Sequence, residues 1–183
     1  HFLFNALNTL YGTALQEEAA RTSEGIQKLG DMMRFMLHDN HLEKIPLDKE
    51  VAYLQNFIAL QRLRVLSSPD ILIAVNIDES HCQHEIAPML LIPFVENAFK
   101  HGISLRHRSR IVISLSCTPD QIFFDVYNSV HPRPENDPER EGMGIGLNNV
   151  KERLSLMYPN KHELSIRQTG AEFFIHLTID VNK

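Results

Sequence analysis

Apolar residues recur at alternating steps of four, three and four along the opening stretch: Leu3, Leu7, Leu10 and Ala14. Those steps return to one face of an α-helix, so residues 1–22 are expected as an amphipathic helix. Thr22-Ser23 breaks the pattern and offers N-cap residues for a second helix over 24–40, striped by Ile26, Leu29, Met33 and Met36. Two striped helices on a short connection make a helical hairpin. Each helix alone leaves its stripe in water, so a second copy of the hairpin is the favoured cover, with packing onto the rest of the chain as the other solution.

Beyond residue 44 the pattern changes. Asp48 is expected to cap a third helix that runs to about Arg64, with Val51, Leu54 and Ile58 inward. Ser67-Ser68-Pro69-Asp70 reads as a turn, and Ile71–Ile77 as a buried strand. Residues 88–101 read as a helix in which Pro93 removes a backbone donor and introduces a kink. Ile111, Ile113 and Leu115 alternate with polar residues, as do Ile122, Phe124 and Val126, and Thr118-Pro119-Asp120-Gln121 between them is a hairpin turn. Residues 129–141 hold three prolines and several charges, which suits a mobile lid. A helix over 145–158 and strands near 163–168 and 172–180, joined at Gly170, complete the chain. The expected class is α+β: a helical hairpin, then a two-layer α/β sandwich on a mixed sheet.

Composition narrows the partners. At 183 residues and 43% hydrophobic, the chain fits one compact domain plus a helical piece. A net charge of −5 disfavours direct nucleic-acid binding. No apolar run reaches membrane-spanning length, so no membrane contact is expected of this stretch. Cys82 and Cys117 fall in a loop and at a strand end; that usage suits a reducing compartment and gives no disulfide framework. His81-Cys82-Gln83-His84-Glu85 matches no standard zinc spacing and reads as a loop.

The chemistry concentrates in two segments. Gly142-Met143-Gly144-Ile145-Gly146-Leu147 precedes a helix, so its amides can approach a polyphosphate unobstructed and meet it at a helix N-terminus. About fifty residues upstream, polar side chains interrupt an apolar helix in Leu91-Ile92-Pro93-Phe94-Val95-Glu96-Asn97-Ala98-Phe99-Lys100-His101-Gly102. Asn97 can offer a neutral oxygen to Mg²⁺, and Lys100, one turn later, a positive charge to phosphate. Asn5 lies four residues after His1 on the same helical face, where an amide can orient a water toward a phosphoryl group or simply pack.

In this order and at this separation the two segments resemble the N box and second glycine box of the GHKL ATP-binding superfamily. The opening His1-Phe2-Leu3-Phe4-Asn5-Ala6-Leu7-Asn8 resembles the phosphoacceptor box of LytS-type sensor histidine kinases. The likeness continues through Arg34-Phe35-Met36-Leu37, Ile45-Pro46-Leu47, Tyr53-Leu54 and Pro88-Met89-Leu90-Leu91-Ile92-Pro93. It implies a dimerisation and phosphoacceptor segment at 1–44 and an ATP-binding catalytic domain of the Bergerat fold at 45–183. It implies His1 as phosphoacceptor, ATP and Mg²⁺ as cofactors, and Asn97, Lys100, Asn128, Gly142, Gly144, Gly146 and Leu147 as the nucleotide site. The implied partners are a second copy and a response regulator, often with a LytTR-type DNA-binding domain. The chain opens at the H box without Met and reads as a cytoplasmic piece of a longer protein in the bacterial inner membrane.

Three departures matter. Phe2 stands where many histidine kinases place an acid next to the phosphoacceptor. Pro93 stands four residues before Asn97, where gyrase-like ATPases place a water-activating Glu, so transfer to a protein side chain is the better reading. The first glycine box, D-x-G-x-G in the superfamily, is here Asn128-Ser129-Val130-His131-Pro132. Its amide oxygen can still accept the adenine amine proton, less strongly than a carboxylate, so Asn128→Asp is expected to tighten ATP. Asp125 has the opposite strand parity and is expected to face away. The lost glycines support an alternative, a nucleotide-binding pseudokinase that signals by conformation.

Overall fold

The computed structural model describes residues 2–65, 68–78, 80, 82–131 and 145–182. Helix α1 (Phe2–Gln16) and helix α2 (Ala20–His38) form the expected hairpin, but the break falls earlier than Thr22-Ser23. Glu18 adopts a left-handed φ of 55°. The Ala19 amide donates to Ala14 O at 2.8 Å and the Glu18 amide to Leu15 O at 3.1 Å. This pair of bonds is a Schellman ending, here without the glycine or asparagine that usually signals it. Ser23 lies inside α2, where its hydroxyl donates to Ala20 O at 2.8 Å.

α2 has two apolar faces. Met32 and Phe35 are buried against helix α3 (Leu47–Val65), with the Phe35 and Tyr53 rings 4.8 Å apart. A Cβ on Gly25 would sit 3.1 Å from Leu63, so the small residue sets how closely α2 approaches α3. The stripe expected to be buried is largely uncovered: Leu3, Leu10, Leu29 and Met36 are exposed, and of the α1 residues only Ala14 is buried.

A short strand β1 (Ile45–Pro46) leads into α3 and pairs antiparallel with β3 (Glu85–Ile86). In α3, Val51, Leu54 and Ile58 face inward as expected, and Asp48 lies in the first turn. The main sheet holds β2 (Ile71–Ile77), β4 (Ser109–Cys117), β5 (Gln121–Ser129), β6 (His162–Gln168) and β7 (Glu172–Asp180), in the order β2-β4-β5-β7-β6. Only the β2–β4 pair is parallel, so the sheet is mixed. β2 is an edge strand, only half-buried, and not the buried strand its continuous apolar run announced. The β4–β5 hairpin closes as expected, with the Thr118 amide donating to Gln121 O at 2.9 Å.

Helices α4 (Ile92–Gly102) and α5 (Ile145–Met157) cover one face of the sheet, and α3 packs beside α4. Its inward residues, Ile111, Ile113, Phe124, Val126, Ile175 and Leu177 among them, are almost wholly buried. Pro93 sits in the first turn of α4. A missing amide costs nothing there, so Pro93 starts the helix instead of kinking it.

Among the described residues, Glu50 is the one buried charged side chain. Its Oε2 accepts from the Met89 amide at 2.8 Å and its Oε1 from the Leu91 amide at 3.0 Å. These bonds hold the turn before α4, in which Met89 has a left-handed φ of 58°. Desolvation pushes the Glu50 carboxyl above its ordinary value, against the pull of those amides and of Arg153. The unfolded chain then ionises first, so the stability Glu50 contributes is full below the ordinary glutamate value and is lost as pH rises through the folded one. Relative to Glu50→Gln, the wild type should therefore lose stability as pH rises from 4 to 8. Denaturant midpoints of the two proteins with parallel pH dependence would rule this out.

The cysteines overturn their sequence-based reading. Cys82 and Cys117 form a disulfide, with Cα atoms 5.2 Å apart and 35 residues between them in sequence. The loop after β2 folds back along the end of β4, a contact that local sequence does not announce.

Candidate functional site

α4 is short and apolar on its inner face, where Phe94, Val95 and Ala98 are buried. Asn97, half-buried, and Lys100, exposed, follow each other on its outer side one turn apart. Glu96 is exposed, yet desolvation by its surroundings pushes its carboxyl above the ordinary value. Glu96 and Lys100 also line a cleft of about 650 Å³ between α3 and α4, together with Phe57, Gln61, Arg64 and Phe99.

The C-terminal end of α4 meets the end of β5. Gly102 is the last helical residue, and a Cβ there would lie 2.6 Å from the Cβ of Asn128. No side chain fits, so glycine is required by space. Asn128 is 1% exposed and faces the helices, on the same side of β5 as Phe124 and Val126. Its Nδ2 donates to Ser129 O at 2.8 Å. Its Oδ1 is buried and has no hydrogen-bond partner among the described residues. Asp125 faces the other side of the sheet, as its parity requires, with its Oδ1 2.7 Å from His176 Nδ1.

Two residues at this junction carry no sequence mark of their role. A glycine closing a helix is ordinarily a C-cap, and Gly102 is a space-maker instead. His131 Nε2 lies 3.2 Å from Gly102 O and 3.1 Å from Ser109 Oγ. A carbonyl only accepts, so Nε2 carries the proton and ties the end of β5 to the end of α4. No sequence pattern marks that tie.

α5 packs beside α4. Gly146 is exposed in its first turn with open space where a Cβ would be, and Leu147 packs against the core. The structure thus places Asn97, Lys100, Asn128, Gly146 and Leu147 on two adjacent helices and the strand end beneath them. Asn5 is elsewhere, on α1, which packs on α2. His1, Gly142 and Gly144, and the prolines of the expected lid, lie outside the described residues. Among the described residues, no cluster of three or more His, Cys, Asp or Glu forms a metal site. No helix of these residues is long and apolar enough to cross a membrane.

A family model described as histidine kinase matches residues 1–68, the hairpin and α3. The sensor protein LytS of Oceanobacillus iheyensis is 27% identical over 92% of this chain, and the sensor protein kinase HptS of Staphylococcus aureus is 35% identical over 56%. The chain spans 30% and 19% of those relatives. Among solved structures, the histidine kinase domain of the Erythrobacter litoralis EL346 blue-light activated kinase superposes over 91% of this chain and 82% of its own, with TM-score 0.54 and 16% identity. Histidine kinase ThkA in complex with the response regulator TrrA covers 99% of this chain and 59% of its own, with TM-score 0.53 and 12% identity. The fold is that of histidine kinase catalytic domains. Sequence likeness to sensor histidine kinases runs through the hairpin and on through most of the chain, which resembles the LytS-type members of that family.

Proposed function

We propose that this chain binds Mg-ATP against α4, Asn128 and the start of α5, and transfers the γ-phosphoryl group to His1. The observation that carries this reading is the buried Asn128 Oδ1, an acceptor without a partner among the described residues, at a position where only glycine fits above it. A buried acceptor of that kind calls for a donor, and the adenine amine is one. Lys100 offsets phosphate charge, and the amides of Gly146 and Leu147 at the start of α5, with Gly142 and Gly144 before them, receive the phosphates. Asn97 holds Mg²⁺, which neutralises phosphate charge when bound.

In the transfer the bond from the γ-phosphorus to the β–γ bridging oxygen breaks. A ring nitrogen of His1 bonds to that phosphorus, and the ring proton passes to water. Neutral imidazole is abundant near pH 7 and needs no strong base. Pro93, without a carboxylate to activate water, supports a protein acceptor over hydrolysis. Residues 1–44 then serve as phosphoacceptor and dimerisation segment, and 45–183 as the catalytic unit. The uncovered Leu3, Leu10, Leu29 and Met36 support a homodimer through the hairpin. A response-regulator aspartate, in a protein that by family likeness carries a LytTR-type domain, receives the phosphoryl group next; ThkA bound to TrrA supports a partner of that class. Asn5 orients water for the reverse loss of phosphate. By family likeness this part works in the cytoplasm, as one portion of a sensor in the bacterial inner membrane; the lengths of the LytS and HptS relatives support that reading.

Full-length protein with γ-labelled ATP should give an acid-labile, base-stable adduct that His1→Gln removes. Acid-stable label, or label that survives His1→Gln, would overturn the assignment. A second reading, a nucleotide-binding module that signals without transfer, draws on Asn128 and on Val130 and Pro132 in place of glycines. It requires ATP binding with no label on His1.

The surroundings of Asn128 reverse the sequence-based expectation for Asn128→Asp. The new oxygen would face Ser129 O, 2.8 Å away, where an amide now donates. Two acceptors at that distance in a buried place repel, and the lost bond leaves a carbonyl unsatisfied, a cost of about 1–3 kcal/mol. Asn128→Asp should therefore lower the melting temperature and weaken ATP. An equally stable variant that binds ATP more tightly would show that the amide is not held by Ser129.

A further inference from the structure

We propose that Cys82 and Cys117 are a site of reversible thiol oxidation that sets how firmly the joint between the hairpin and the catalytic unit is held. The proposal stands apart from the kinase reading and rests on where the bond lies. β1 is the segment that joins α2 to α3, and its partner is β3. Cys82 lies just before β3, and Cys117 ends β4. The Leu47 amide, at the start of α3, donates to His84 O at 2.8 Å. His84 Nε2 donates in turn to Thr118 O at 2.7 Å, beside Cys117. The 82–86 segment thus bridges the joint on one side and the β4–β5 hairpin on the other, and the disulfide is its covalent fastening.

A reagent can reach the bond. Both cysteines are only half-buried, and a cleft of about 440 Å³ opens beside Cys82, lined by Pro46, Leu47, Asp48, Val51 and His84. The residues of the joint itself therefore wall the approach to the sulfur. The bond also lies at the end of β4 away from Asn128. Cys117 pairs with Ile122 and Ile111 with Asn128, six residues along the strand, or about 20 Å.

The ligand class is a soluble dithiol–disulfide couple. In reduction a thiolate of the dithiol attacks one sulfur, the Cys82–Cys117 bond breaks, and a mixed disulfide forms. The second thiol of the reagent resolves it. The reagent leaves as its disulfide, and Cys82 and Cys117 take two electrons and two protons as thiols. The His84–Thr118 hydrogen bond remains, so reduction loosens the joint without releasing it.

The test uses the chain as it stands, equilibrated with stepped ratios of reduced and oxidised dithiothreitol. Free thiols are counted by the mass added on alkylation, and amide hydrogen exchange is followed by mass spectrometry. The expected result is no free thiol in the oxidised chain and two in the reduced one. Exchange over 43–48 and 82–87 should rise on reduction by on the order of tenfold more than over 122–126 and 173–179, whose own rise follows the loss of global stability. The Cys82→Ser/Cys117→Ser variant should match the reduced wild type and ignore the reagent. Two free thiols that persist in excess oxidised reagent would overturn the proposal. So would exchange at the joint that does not change, or acceleration spread evenly over the sheet, which would mark a general stabilising bond.

Discussion

Asn97→Ala should abolish Mg²⁺-dependent nucleotide binding and leave the fold intact. Asn97 stands in the middle of α4, an eleven-residue helix, on the side opposite its apolar inner face. Asparagine is a poor residue for a helix interior, and alanine is the best. Its presence there is therefore not explained by helix stability, and the variant should melt no lower than the wild type. Loss of the proposed ligand uncovers phosphate charge that Lys100 alone does not offset. A hundredfold loss of affinity in the presence of Mg²⁺ is the expected scale, roughly 2.7 kcal/mol. Without Mg²⁺ the two proteins should bind a non-hydrolysable ATP analogue alike. Calorimetry in both conditions decides the matter. If the variant keeps the Mg²⁺ dependence of the wild type, the metal is held elsewhere.

The second large effect is on stability. Opening the Cys82–Cys117 bond frees a loop of 35 residues in the unfolded chain. Closing a loop of that size in the unfolded state is worth about 2–4 kcal/mol. Denaturation in the presence of reductant, or of the Cys82→Ser variant without it, should show a lower midpoint, equivalent to that loss of unfolding free energy. The partner thiol is half-buried in the variant, so little new strain arises to obscure the effect. Identical midpoints with and without reductant would mean that the two sulfurs are not bonded in solution.

The hairpin, the β4–β5 turn and the strands on either side of Gly170 were legible in the sequence. Each depends on residues within a few positions of one another: steps of three and four for a helix, alternation for a strand, Pro-Asp for a turn. The boundary of α1 was misplaced because its Schellman ending uses Glu18, a residue without the usual mark of a left-handed position. The apolar run of β2 reads as a buried strand because local composition carries no information about which strand lies at the edge.

What the sequence by itself determined was therefore the kind of elements, their order and the residues expected to carry chemistry. The tertiary structure alone decided what those residues meet. It placed Asn128 under Gly102 with its amide nitrogen on Ser129 and its oxygen without a partner among the described residues. It brought Glu50 to the Leu91 amide across 41 residues and Cys82 to Cys117 across 35. Such pairings follow from strand register and from how the helices lie on the sheet, which set distances between segments that are remote in sequence. Local propensity acts only over a turn or two of chain, and it leaves those distances undetermined.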